Sequence, residues 1–566
     1  MAHIYTLSLK KSLLLDLFCA LIVHKVYNKY EIEPANFPAT LFLLIVVPAL
    51  PCFFLVPHVG SVTLAVPFAY LLFYFLLASS IVLYRISPIH PLAKHPGPFS
   101  LKISKFVWTY HASTGKQYRV FKSLHEKYGP VVRIGPNELS IVDAESIPTI
   151  MSLRKGPLWD AHNMPGTIPA IVGMRDVELH RERRKLWNHG FTTAALKKLQ
   201  PTVENRVLEL SKELEKRTSK PGEREISLDL ALWMSNFTYD VMGDMVFSGG
   251  FSLMRKGDEG GTRALLQDYV EIIGTIQHIP WIAGLMQRLT AVPEGLRKYR
   301  EFASHHYDTR KSQGATKRDL FYYIMNEEGL EEIEVPRDQG LNDILTAIGA
   351  GADTTSTVLA AIFFYLLSNQ AVFTRLRKEV DFEFPVQEGE PFDTLKLARM
   401  PYLNAVINEA LRLQPPVATS LQRCPLEGSG GVMVAGRLVP ESTSLYVPPY
   451  PLHRDERYFS PSTNSFIPDR WLESKGEKFT TNLSAFIPFA IGRANCAGKN
   501  LALMEMRMVV ATIVQRFDMK FAEGYDPVKW EEDLQDFFVM KVGKLPVALH
   551  ARRLSRTCTV DLPSSP

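Results

Sequence analysis

The residues best placed to do chemistry lie near the end of the chain, in Phe489-Ala490-Ile491-Gly492-Arg493-Ala494-Asn495-Cys496-Ala497-Gly498-Lys499. A lone cysteine stands there just ahead of residues 501–516, whose apolar spacing predicts a helix. Amide N–H groups and the dipole at a helix N-terminus favour an anionic sulfur, so Cys496 is available as a thiolate metal ligand. Gly492 and Gly498 let the backbone approach a flat ligand, and Phe489, seven residues before the cysteine, can cover the sulfur. The alternative is a buried structural thiol. A second group sits in residues 341–367, where Asp353 is followed by Thr354, Thr355, Ser356 and Thr357. An acid and four hydroxyls inside an otherwise apolar helix are expensive unless they serve something. Asp353 and Thr354 form an acid–alcohol pair able to pass a proton. A further membrane span, or a core helix with a hydrogen-bonded Asp, are the other readings of this segment.

Several elements must position these groups. Residues 117–127 read as a helix leading into a hairpin over 129–142, where two β-branched runs flank Gly135-Pro136-Asn137. Residues 196–330 are mostly amphipathic helix. Residues 176–190 are strongly basic, with Arg181, Arg183, Arg184 and Lys185, and a solvated helix face is the default for such a run. Trp187 and Phe191 fall at helical spacing and read as core. A helix over 401–414 ends in Glu409 and Arg412, a pair common on helix surfaces, and Arg470 follows in Pro468-Asp469-Arg470. Residues 537–542 and 546–549 read as closing strands, and 551–566 as a polar, disordered tail.

Composition excludes several classes. A formal charge of +5 over 566 residues does not point to nucleic acid. Five scattered cysteines form no disulfide framework and suit a reducing compartment. Hydrophobic content of 46% supports a large core. The first 86 residues form a membrane anchor in three apolar pieces. Residues 37–56 and 62–83 are long enough to cross a bilayer. Residues 13–23 carry Asp16 and are expected to lie in the interface, with three spans as the alternative. Four prolines between Pro88 and Pro98 then stiffen a hinge over 87–98. Two glycosylation patterns, at Asn236 and Asn482, read as chance.

The cysteine loop resembles the haem loop of the cytochrome P450 family, Phe-x-x-Gly-x-Arg-x-Cys-x-Gly, at Phe489, Gly492, Cys496 and Gly498. It departs at Ala494, where the family has an Arg; here Arg493 stands one place earlier. The resemblance extends over residues 90–550. It implies a mainly helical fold with a small β part over 99–550, preceded by membrane helices, with Cys496 as the axial ligand of haem b. It further implies that Asp353 and Thr354 handle proton delivery and oxygen scission, with Gly351 leaving room for dioxygen. His180 and Arg184 stand where the family has a Trp and an Arg on the haem propionates, and Arg423 where it has another propionate Arg. Glu409, Arg412 and Arg470 match a structural triad before the haem loop.

The activity so implied is that of a monooxygenase on an apolar small molecule, a terpenoid or other fungal secondary metabolite. Electrons would come from NADPH through a separate NADPH-cytochrome P450 reductase, with Lys499 a candidate contact and cytochrome b5 an alternative donor. The implied location is the endoplasmic reticulum membrane with the catalytic domain in the cytosol. Two other readings compete: a haem-thiolate isomerase or dehydratase needing no reductase, and a non-enzymatic multi-span membrane protein or haem sensor using residues 341–367 as a further span.

Overall fold

The computed structural model describes residues 7–30, 36–163, 168–218, 226–282, 285, 294–314 and 317–552. Apolar composition dictates the first feature, three helices packed lengthwise: α1 (Leu9–Lys29), α2 (Phe37–Val59) and α3 (Val62–Ile86). On α1 the side chains turned inward are Ser12, Asp16, Cys19, Ala20 and Val23, while Leu14, Phe18, Leu21 and Ile22 face outward. An interfacial helix would do the reverse and keep its polar face in water. At one end of the bundle His58 Nε2 donates to the Leu7 carbonyl at 2.7 Å and Ser12 Oγ to that of Phe54 at 3.3 Å. At the other end His24 Nδ1 lies 3.1 Å from Ser80 Oγ. α1 therefore runs beside α3 over nearly its full depth, while the helices of this region long and apolar enough to cross a bilayer are α2 and α3.

The proline-rich hinge is docked against the domain. Arg133 donates its backbone N–H to the Pro96 carbonyl, and its buried guanidinium reaches the carbonyls of Arg85 at 3.0 Å and Pro136 at 2.9 Å. Gly97 allows this approach, since a Cβ there would meet the Arg133 carbonyl oxygen at 2.1 Å.

A five-stranded sheet follows, built from β1 (Val131–Gly135), β2 (Glu138–Ile141), β3 (Arg154–Lys155), β4 (Gln422–Cys424) and β5 (Ser444–Tyr446), in the order β1-β2-β5-β4-β3. Only β2 and β5 pair in parallel. The register places Lys155 opposite Arg423.

The body is helical. Asp176 caps α4 (Val177–Gly190), accepting from the N–H groups of Glu178 and Leu179, both at 2.9 Å. α5 (Leu230–Phe247) is buried along almost its whole length against α7 (Arg337–Ser368), and α6 (Thr262–Ile276) lies nearby. α7 is long and apolar enough to cross a membrane, but it is largely enclosed by protein, so residues 341–367 form a core helix here and not a further span. α8 (Pro401–Leu413) and α9 (Lys499–Arg516) complete the frame around the cysteine loop.

The expected strand over 537–542 is instead a hairpin, β6 (Gln535–Phe537) and β7 (Val539–Lys541), turning at Phe538 with φ of 78°. The next strand is Pro546–Ala551. The tail lies outside the described residues from 553 onward. Asn236 is buried within α5.

Candidate functional site

Cys496 closes a tight loop, its N–H donating to the Phe489 carbonyl at 2.9 Å. The N–H groups of Gly498 and Lys499 point at its sulfur, and the charges of Arg184 and Lys499 help to favour the thiolate. Desolvation acts against them and raises the thiol, although the sulfur-bearing residue is itself exposed on the loop. A directly bound cation would add to the amides and cations that favour the thiolate.

The two glycines differ in their reasons. Gly492 has φ of 77°, and a Cβ there would lie 2.8 Å from the Met151 carbonyl oxygen, so backbone geometry accounts for it. At Gly498 a Cβ would meet only Phe191 at 3.7 Å, an ordinary contact, so protein packing does not demand a glycine there. Phe489 packs against the main core, with Lys499 Nζ 5.8 Å from its ring centre.

Around this loop stands a cluster of cations. Arg184, on α4, donates to the Asn495 carbonyl at 2.7 Å and to Asn495 Oδ1 at 2.9 Å. His180, one turn earlier, is buried, and burial together with Lys155, Arg184, Arg423 and Arg493 pushes its imidazole down to about 3. It is thus a neutral group among cations. Arg423 is 1% exposed and its Nε has no partner. Burial, and then Arg493, lowers it to about 10.

Sequence reasoning missed Lys155, because only strand pairing brings it to Arg423. Lys155 Nζ donates to the Ile171 and Val172 carbonyls at 2.7 and 2.8 Å, and burial holds its ammonium well below the usual lysine range. Arg493, beside the departure at Ala494, donates to the Ser152 carbonyl while its charge acts on His180 and Arg423. Buried cations gathered without matching acids fit a ligand that brings carboxylates of its own. A thiol on the same loop, beside a glycine open to close approach, fits a flat metal-bearing one. The residues therefore suit haem b.

The second group is carried by α7. Asp353 is buried, and Tyr239 on α5 donates to its Oδ1 at 2.9 Å. Burial raises its carboxyl to about 6, against the opposing pull of Tyr239, Gln267 and Arg263. Thr354 donates its hydroxyl to the Ala350 carbonyl at 2.6 Å. Gly351 does not open a notch here; it is packed against α5, where a Cβ would lie 2.5 Å from Met242 Sδ. The neighbouring Gly349 and Ala350 line a largely apolar cavity of about 120 Å³, with Val172, Leu266, Ile273 and Phe538. The buried ion pair between Arg183 and Asp343 ties α4 to α7, and with them the two groups.

The scaffold before the loop is built on one buried acid. Glu409, fully buried, accepts from Arg412 Nε and Nη2, both at 2.8 Å, from Arg470 Nε at 3.0 Å and from Trp471 Nε1 at 2.9 Å. Arg412 also reaches the His453 and Thr463 carbonyls at 2.8 and 2.6 Å. These contacts fix the segment that delivers the cysteine loop.

Comparison with known proteins agrees with this frame. The family model described as Cytochrome P450 matches residues 96–546. A protein named cytochrome P450 67 from Uromyces fabae is 35% identical, over 83% of this chain and 87% of its own. The tryprostatin B 6-hydroxylase of Aspergillus fumigatus is 32% identical over 84% and 83%. The cytochrome P450 monooxygenase FCK2 of Fusarium pseudograminearum is 31% identical over 84% of each.

Proposed function

We propose, of a chain that belongs to the cytochrome P450 family and is a monooxygenase of that family, that it inserts one atom of dioxygen into an apolar small molecule, a terpenoid or another secondary metabolite. Family membership implies thiolate-ligated haem, a redox partner and a small-molecule substrate. When bound, the haem supplies dioxygen activation, and a thiolate ligand favours O–O cleavage. The chain's own residues do the rest. Cys496 offers the sulfur, Phe489 shields it, and Gly492 and Gly498 shape the loop. Arg184, Arg423 and Lys155 supply charge to the carboxylates, and neutral His180 an N–H. Asp353 holds a proton at the edge of the apolar cavity, and Thr354 follows it on the same helix with its hydroxyl on the Ala350 carbonyl.

The observation that carries this reading is the set of buried cations beside the cysteine loop. The apolar cavity supports an apolar substrate, and a relative named for hydroxylating tryprostatin B supports the secondary-metabolite class. Electrons are drawn from a separate NADPH-cytochrome P450 reductase, for which exposed Lys499 is a contact, with cytochrome b5 an alternative donor. The N-terminal apolar helices fit membrane anchoring. We place the protein in the endoplasmic reticulum membrane with three spans, the catalytic part in the cytosol. Turnover of apolar metabolites with ¹⁸O₂, NADPH and added reductase tests the activity. Products carrying one labelled oxygen support it, and unlabelled rearranged products would replace it with the isomerase alternative.

A further inference from the structure

We propose that Tyr239 is a positioning residue for Asp353, holding the carboxyl at the partition between two cavities. The proposal rests on reading Asp353 as the proton carrier. The apolar cavity above lies on one side of this carboxyl. On the other is a cavity of about 350 Å³ whose lining is the more polar of the two, with Arg263, Gln267, Glu271, Ser356 and Lys541. Among the described residues lining both, Asp353 alone is titratable; Val270 and Val539 are the other two shared. A proton moving from the polar side to the apolar side therefore has this carboxyl as its way station.

The acid is not held by its neighbour in sequence, because the Thr354 hydroxyl is turned to the Ala350 carbonyl. It is held by Tyr239. That phenol is fully buried, and a buried O–H needs an acceptor. Gly351 makes the contact possible: its missing Cβ lets α7 close on Met242, one turn from Tyr239, so the phenol reaches Oδ1 at 2.9 Å. α6 contributes Gln267 and the charge of Arg263. Glu271 and Lys541 pair with each other at 3.2 Å across the polar cavity, and Asp229 lies at its edge, accepting from the Leu545 N–H at 2.9 Å. Burial raises the carboxyl and donation from the phenol, with Gln267 and Arg263, favours the ionised form; the balance is about 6, where Asp353 can both take and release a proton.

The test uses the full-length, haem-loaded protein in lipid, with Tyr239→Phe keeping the ring and removing the donor. Infrared difference titration follows the carboxyl band that Asp353→Asn abolishes. In the unsubstituted protein its inflection is expected near pH 6, and in Tyr239→Phe about one pH unit higher. Reductase-driven NADPH oxidation without added substrate is expected to yield severalfold more hydrogen peroxide per NADPH in that variant. The carbon-monoxide spectrum should not change. Replacing Tyr239 with 3-fluorotyrosine, a stronger donor, should move the inflection down, so the idea stays testable if Tyr239→Phe folds poorly. An inflection that stays put in both overturns the proposal. Should Asp353→Asn leave peroxide yield unaltered, the carrier reading fails, while the infrared shift still decides the role of Tyr239.

Discussion

Lys155 stands opposite Arg423 on neighbouring antiparallel strands, and both cations are buried. The acid acting on Lys155 is Asp343, which is already paired with Arg183. Like charges so placed repel unless an anion lies between them. Lys155→Met should therefore act with opposite signs in the two forms of the protein. The haem-free form should gain about 1 kcal/mol, and the haem-loaded form should release haem to an acceptor protein about tenfold faster. Equal effects on both forms would deny Lys155 a role toward the cofactor.

Glu409 is the acceptor on which Arg412, Arg470, Trp471 and the Ile467 N–H converge, and removing it would strand buried Arg412 and Arg470. Glu409→Ala should cost roughly 3–5 kcal/mol and abolish haem incorporation on expression. A Glu409→Ala protein with normal haem content would show that the segment before the cysteine loop is held by other contacts.

Glu505, on α9, is fully enclosed, and burial raises its carboxyl to about 8 from the usual 4.5. The folded protein thus keeps a proton that the unfolded chain releases near 4.5, and stability falls as pH rises from there through about 8. Glu505→Gln should flatten that decline in thermal midpoint between pH 6 and 9 and raise stability by a few kcal/mol at the alkaline end. His453 acts in the opposite sense: burial pushes it to about 3, so stability contributed by its neutral form is lost as pH falls below 6.5.

The placement of α1 beside α3 predicts that the segment bearing Lys10 and Lys11 lies across the membrane from the catalytic domain. An epitope ahead of α1 should resist protease in sealed microsomes while the catalytic domain is digested. Digestion of both would return α1 to the cytosolic interface.

What could be read in the sequence was local. The cysteine loop and Glu409 with Arg412 lie within a few residues of one another, and the β-branched runs of β1 and β2 flank a turn signal. What could not be read depended on distant pairing. Lys155 meets Arg423 only through β3 and β4, and Tyr239 meets Asp353 across 114 residues. The role of Gly351 was misassigned because the motif marks a missing Cβ without saying which neighbour needs the space. The packing of α1 against α3 was not legible either: Lys10, Lys11 and Asp16 lower its apolarity, yet Asp16 turns inward to the bundle.

The central claim is that Cys496 is the axial ligand, and the reduced, carbon-monoxide-bound absorption spectrum of the full-length protein, recorded beside Cys496→Ser, tests it most directly. A red-shifted Soret band of the thiolate type, lost in the variant, is the predicted result. An imidazole-type band in the unsubstituted protein, or a thiolate-type band that survives in Cys496→Ser, would contradict it.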